Sequence, residues 1–305
     1  MRKHSGLLKG KRIALLMGGP GKEREVSLRS GAAVATALRA AGAVVAEVDV
    51  TGPDFHLPPD TDLAFNIIHG TFGEDGELQA ILNDRGIPYT GEGADGSRRA
   101  FDKIATKAAF DLAGVPTSAW HAIGAGGKPE FEFPFVVKAP RQGSSVGVHI
   151  VRGKSELGHA LADCFLYGDQ VLVESFFHGR ELTVGILGEH ALPIVEIVPH
   201  EGFYDYEHKY TKGASDYHVP ADLPAGQTRA VQETALAAHR ALGLEVYSRV
   251  DVLLAEDGSM SVLEVNTIPG MTETSLLPKA AAVATLDFSA LCEEIVGLSL
   301  AKKSR

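Results

Sequence analysis

The chain has 305 residues, 45% hydrophobic and 22% charged, with a formal net charge of −10. That is globular composition with room for two or three domains. Lys and Arg cluster only near the ends, in Arg2-Lys3, at 9–12 and in Lys302-Lys303, which argues against a nucleic-acid partner.

The first third alternates strand and helix patterns. The apolar run 13–17 reads as a strand and is too short for a signal-peptide core. The Ala-rich stretch 27–41 reads as a helix stopped by Gly42, and strands follow at 44–50 and 63–68, then a helix at 77–84. This is the βαβ pattern of a parallel sheet, whose ligands sit beyond the carboxyl ends of the strands. Gly18-Gly19 and His69-Gly70 lie at such ends.

A second segment begins near Ser97, with helices at 99–112 and 156–165 and strands at 133–138, 148–151 and 171–176. That is a small α+β unit. The remainder starts with strands at 182–187 and 191–198, passes through a polar, aromatic stretch at 203–218 without clear periodicity, and continues with a helix at 227–242. Two carboxylate-bearing strands follow, and an amphipathic helix at 287–298 closes the chain. No uncharged apolar stretch approaches a membrane span. Cys164 and Cys292 fall in helical patterns without metal-ligand spacing and read as core thiols of a reducing compartment. The expected setting is cytoplasmic, with no membrane partner.

The most informative pattern is Arg249-Val250-Asp251 in one apolar run and Leu263-Glu264-Val265-Asn266 in the next. Residues two apart in a strand share a face, so Glu264 and Asn266 point the same way, with Asp251 opposite on a paired neighbour. Strand carboxylates are ordinarily just solvated. Here the apolar flanks predict burial, which is costly for a carboxylate unless it is paired or bound to metal. Three hard oxygen ligands suit Mg²⁺ completed by nucleotide phosphates.

Gly18-Gly19-Pro20-Gly21-Lys22 fails both known phosphate-loop patterns: Lys22 precedes Glu23 rather than Ser or Thr, and no G-x-G-x-x-G is present. Glu23 reads either as a helix-start carboxylate or as a group binding an ammonium. Gly143-Ser144-Ser145-Val146-Gly147 follows a strand ending in Lys138. It reads either as a flexible hairpin or, with Lys138 and Lys103, as a triphosphate lid. The stretch 204–210, with Lys209 and Tyr210, is either a surface loop or a closing one. Gly270 beside Arg249 fits an oxyanion hole, and Ser275-Leu276 fits a helix start that favours a carboxylate.

Taken in order, these motifs resemble those of the D-alanine–D-alanine ligases of the ATP-grasp superfamily. The matching stretches are Glu23-Arg24-Glu25-Val26-Ser27, His69-Gly70 with Gly73-Glu74-Asp75-Gly76, Pro88-Tyr89-Thr90-Gly91 and Asp102-Lys103. They continue with Lys138, residues 143–147, Phe203 to Tyr206, Lys209-Tyr210, Arg249 to Asp251, Glu264 to Thr267 and Pro269 to Thr272. The resemblance spans nearly the whole chain. It implies an α/β and α+β, three-part ATP-grasp fold: a parallel-sheet substrate-binding domain at 1–95, a central ATP-grasp domain at 96–178 and a catalytic domain at 179–305.

The resemblance also implies roles. Lys103, Lys138 and Lys209 hold ATP phosphates, and Glu174 and Glu181 meet adenine and ribose. Asp251, Glu264 and Asn266 bind two Mg²⁺ (or Mn²⁺). Glu23 binds the first D-alanine's ammonium in a network with Ser144 and Tyr210, with His69 nearby. Arg249 and the Gly270 N–H stabilise an oxyanion, and the Ser275 and Leu276 N–H groups bind the second D-alanine's carboxylate. The implied reaction is ATP-dependent joining of two D-alanines through an acyl phosphate, for peptidoglycan precursors, in a homodimer. Tyr210 favours an amine over a hydroxyl as second nucleophile. Two departures stand out: Ala139 where relatives often have Pro, and a shortened stretch at 124–133. A dead-site nucleotide-binding regulator is disfavoured because Asp251, Glu264, Arg249 and Lys209 are all present. A kinase is disfavoured by the second-substrate site.

Overall fold

The computed structural model describes residues 6–200, 215–272 and 274–303. The N-terminal part comprises β1 (Arg12–Gly18), α1 (Arg24–Ala40), β2 (Val44–Val50), β3 (Leu63–Asn66) and α2 (Glu77–Asp84). Its strands form a parallel sheet in the order β2-β1-β3. The unbroken apolar run Ile13 to Leu16 is what a parallel strand covered on both faces requires. Val34, Ala35 and Leu38 of α1 seal one side.

The predicted single helix at 99–112 is two helices, α3 (Ala94–Phe101) and α4 (Lys103–Ala113). Asp102 separates them. Its backbone is extended and its carboxylate accepts the Ile104 and Ala105 N–H groups, so it ends one helix and caps the next. Then come β4 (Trp120–Gly124), β5 (Phe135–Lys138), β6 (Val148–Val151), α5 (Lys154–Cys164) and β7 (Gln170–Ser175). They form an antiparallel sheet, β4-β7-β5-β6, backed by α5 with its own core of Ile123, Phe135, Val137 and Cys164. Strand β4 had no counterpart in the sequence reading.

The remaining strands are β8 (Arg180–Leu187), β9 (His190–Ala191), β10 (Val195–Pro199), β11 (Ser215–His218), β12 (Tyr247–Leu254) and β13 (Met260–Asn266). They form the antiparallel order β11-β10-β8-β12-β13, with β9 on β8. The run 191–198 is thus broken, and the end of the aperiodic stretch is a strand. Helix α6 (Ala225–Ala241) covers this sheet with Val231, Ala235 and Ala238. Helices α7 (Leu276–Val283) and α8 (Phe288–Ala301) join it to the N-terminal part. Leu277, Leu291 and Ile295 share one core with Ile13, Leu38 and Phe65. Both cysteines are buried and free. The first and last parts therefore form one packed body, and the four-stranded sheet faces the larger antiparallel sheet across a cleft.

Candidate active site

Strands β12 and β13 set the site. Arg249 pairs in register with Asn266, and Asp251 with Glu264; the register then slips, so that Val252 faces Val262 and Leu263 is the extra residue. This bulge lies just beyond the polar pairs and, as bulges do, re-aims its residue, here toward the cleft. Asp251 is only 5% exposed. Three side chains donate to it: Arg249 at 2.9 and 2.8 Å, Thr183 Oγ1 at 2.5 Å and Asn266 Nδ2 at 3.3 Å.

The cleft between the sheets is a slot of about 470 Å³. Its walls include Val136, Val148, Ile150, Leu253 and Leu263, and its charged lining includes Lys103, Lys138, Glu174, Glu181, Asp251 and Glu264. Six of the expected ATP and metal ligands therefore share one slot. Lys103 also donates to Gln142 O at 2.6 Å. The Glu174 carboxylate, expected near adenine, lies between two ammonium groups: Lys107 at 2.6 Å on Oε1 and Lys138 at 2.5 Å on Oε2. Burial alone would raise its pKa, but Lys138 and Lys107 outweigh that and bring it to about 2.

A separate cavity of about 100 Å³ opens where loops from all parts meet. Glu23, His69, Ser144, Arg249, Asn266, Gly270, Ser275 and Leu276 line it. Glu23 sits at the N-cap position of α1, yet its side chain makes no capping bond. Instead its Oε1 accepts from Ser144 Oγ at 2.5 Å. Gly70 has φ +68°, and a Cβ there would come within 2.7 Å of Glu23 Oε2, so that position needs glycine.

His69 is 5% exposed. Its Nδ1 lies 2.9 Å from the Ile268 carbonyl, and Ser30 Oγ lies 3.3 Å from its Nε2 and from the Met271 N–H. The ring thus clasps the loop carrying Gly270 from both sides, with Nδ1–H donating to the carbonyl. Burial pulls its pKa below the usual histidine value, against the nearby Glu23 charge. A Cβ on Gly270 would lie 2.8 Å from Ser275 Oγ. Ser275 stands at the N-cap position of α7 without a side-chain capping bond, and its N–H already donates to Thr272 O at 3.0 Å, which leaves Leu276 N–H as the first donor of α7 proper.

Glu74 and Lys107 carry no role in the sequence reading. Glu74 lines the cavity and also a neighbouring small pocket of about 30 Å³ lined by Lys103, Glu264 and Asn266. Burial first, then the Glu23 charge, push its carboxyl well above the usual range. Its signal was the Gly-Glu-Asp-Gly run; that of Lys107 was its place one helical turn after Lys103. The loop 143–147 serves both spaces: Gly143 and Ser144 line the cavity, Ser145 the slot. Lys209 and Tyr210 lie outside the described residues, as does the rest of the stretch 204–210.

Oxygen donors are present for a hard cation, but no group of three His, Cys, Asp or Glu among the described residues could hold a metal. The set Asp251, Glu264 and Asn266 reaches three only through the amide oxygen. That donor chemistry fits Mg²⁺ sharing its shell with phosphate oxygens.

The sequence model described as D-ala D-ala ligase C-terminus matches residues 117–297. A D-alanine–D-alanine ligase of Methylacidiphilum infernorum is 51% identical over 287 residues, covering 94% of this chain and 95% of that protein. One of Geotalea uraniireducens is 45% identical and covers 98% of each. Among solved structures, the ATP complex of the Bacillus anthracis D-alanine–D-alanine ligase superposes with a TM-score of 0.83 at 34% identity, covering 96% of this chain and 97% of that one. The VanG D-Ala:D-Ser ligase of Enterococcus faecalis gives a TM-score of 0.84 at 28% identity, with 95% and 100% covered. The chain belongs to the D-alanine–D-alanine ligase family of ATP-grasp enzymes.

Proposed function

We propose that the protein joins two D-alanine molecules at the expense of ATP, releasing D-alanyl-D-alanine, ADP and phosphate for peptidoglycan precursor synthesis. The observation carrying this reading is that a small polar cavity and the nucleotide slot flank one small pocket, which shares Glu74 and Asn266 with the cavity and Lys103 and Glu264 with the slot. A carboxylate wall (Glu23) at one end and a helix N-terminus at the other suit two small amino acids head to tail.

The division of labour follows from position. Residues 1–95, 96–178 and 179–305 act as substrate-binding, central and catalytic domains. Lys103, Lys138 and Lys209 hold the phosphates, and Glu181 and the strand end at Glu174 meet the adenosine. Asp251, Glu264 and Asn266 would hold two Mg²⁺ or Mn²⁺, whose charge would offset that of the phosphoryl oxygens.

Glu23, supported by Ser144 and Tyr210, binds the first ammonium and turns its carboxylate toward the γ-phosphate. Attack there gives an acyl phosphate, and catalysis is mostly positioning and electrostatics. The second amine then attacks the activated carbonyl, and phosphate leaves. Arg249 and the Gly270 N–H face the developing oxyanion, with His69 fixing the Gly270 loop. The Leu276 N–H and Ser275 hold the second carboxylate. A closed site keeps water from the acyl phosphate. No helix among the described residues is long and apolar enough to cross a membrane, and a cytoplasmic homodimer fits the reading.

The test is phosphate release from ATP and Mg²⁺ with D-alanine, L-alanine, or D-alanine plus D-serine or D-lactate, with products identified by mass. Phosphate and D-alanyl-D-alanine formed one-to-one, with D-alanine preferred as second substrate, is the expected result. A mixed product in preference, or no D-alanine-dependent phosphate from folded protein, would overturn it.

A further inference from the structure

We infer that Lys107 is a positioning residue for the nucleotide slot: by sharing the Glu174 carboxylate, it leaves the Lys138 ammonium with charge to offer a phosphate. The inference rests on the reading of the slot as an ATP site.

The geometry is a buried line of three charges. Glu174 lies in β7 and Lys138 in β5, diagonal neighbours across the pair Lys138–Leu172. Both border the slot, whereas Lys107 is not among the residues that line it. Lys107 is 1% exposed. It reaches Glu174 Oε1 at 2.6 Å while Lys138 takes Oε2 at 2.5 Å. Its ammonium also meets Thr117 Oγ1, whose hydroxyl donates to Val262 O at 2.8 Å. The rear lysine is therefore tied to both central and C-terminal parts.

Stability alone does not single out this arrangement, because a buried ion pair is commonly no better than apolar residues of the same volume. Charge counting does. One carboxylate between two ammonium groups leaves one positive charge, and the member facing the slot is Lys138. Without Lys107 the pair Glu174–Lys138 is neutral, and an arriving phosphate meets a dipole in place of a cation. In a low-dielectric slot that difference is felt strongly.

The experiment measures ADP and adenosine dissociation constants, by calorimetry, for full-length wild type, Lys107→Met and Lys107→Met/Glu174→Gln. Lys107→Met is expected to weaken ADP about ten-fold and adenosine less than about two-fold. The double variant has one net positive charge again, and its ratio of ADP to adenosine affinity, in which any loss of the Glu174 contact to adenosine cancels, is expected to return to within about three-fold of wild type. Unchanged ADP binding in Lys107→Met, equal weakening of ADP and adenosine, or no recovery in the double variant would each overturn the inference. If Lys107→Met does not fold, Lys107→Gln, which keeps a polar group beside Glu174 and Thr117, takes its place. A loss of about ten-fold for ADP with adenosine little changed then supports the charge account, and ADP binding near wild type contradicts it. Failure of the ATP reading shows separately, as wild-type protein that does not bind ADP.

Discussion

The cavity and the slot solve binding in different ways. The cavity is about 100 Å³, and its polar groups are already partnered: Glu23 with Ser144, His69 with the 268–271 loop, and Arg249 with Asp251 on the slot side. The slot is about 470 Å³, walled by sheet faces, with one carboxylate shared by two lysines at its base. A small cavity of paired polar groups discriminates, because a wrong ligand leaves a buried group unpartnered. A larger slot walled by apolar sheet faces, with Lys138 and Glu174 at its base, admits a larger ligand and relies less on fit.

Removing Arg249 breaks the comparison most severely, since it both faces the cavity and holds Asp251 beside the slot. Arg249→Met is expected to cut kcat at least about 10³-fold, as lost oxyanion stabilisation adds to an unpaired buried carboxylate; steady-state kinetics at saturating substrates checks it. Asp251→Asn acts on the slot side and removes one charge from the pair that holds Arg249. A fall of about 10²–10³-fold in kcat, with a higher Mg²⁺ requirement, is expected from a Mg²⁺ titration.

Glu23→Gln sharpens the contrast. KM for the first D-alanine should rise about 50-fold while ADP affinity stays within about two-fold, because the carboxylate serves the cavity alone.

Acid titration probes the base of the slot. The folded pKa of Glu174 is about 2, below its ordinary 4.5, so the ionised form stabilises the fold above pH 4.5 and that contribution is lost as pH falls through about 2. It amounts to roughly 3 kcal/mol. The stability gap between wild type and Glu174→Gln, measured by denaturant unfolding, should narrow over that window and stay constant above it. Ser275→Ala is the mildest change. It removes the hydroxyl that accepts from Thr272 N–H at 2.9 Å and should raise KM for the second D-alanine about five-fold.

Much of this was legible because strand geometry is simple. Period two sufficed to put Asp251, Glu264 and Asn266 on one face, but not to show Arg249 already clasping Asp251. The βαβ run placed Glu23 and His69 at strand ends, and only the fold shows that His69 holds a loop from residue 268 to 271. The break between α3 and α4 was readable in principle, since Asp102 is a good N-cap ahead of an apolar run. Strands β4 and β11 were hidden because both are short and partly polar, and their pairing partners are distant in sequence. Lys107 looks like any helix-surface lysine until Glu174 is brought to it.

The central claim is that cavity and slot act on one carboxylate, passing an oxygen from substrate to phosphate. D-alanine labelled with ¹⁸O in its carboxylate, turned over with unlabelled ATP and Mg²⁺, tests it directly by mass analysis of the released phosphate. The account predicts one ¹⁸O in each phosphate released, matched by one dipeptide. Unlabelled phosphate accompanying dipeptide formation would contradict it.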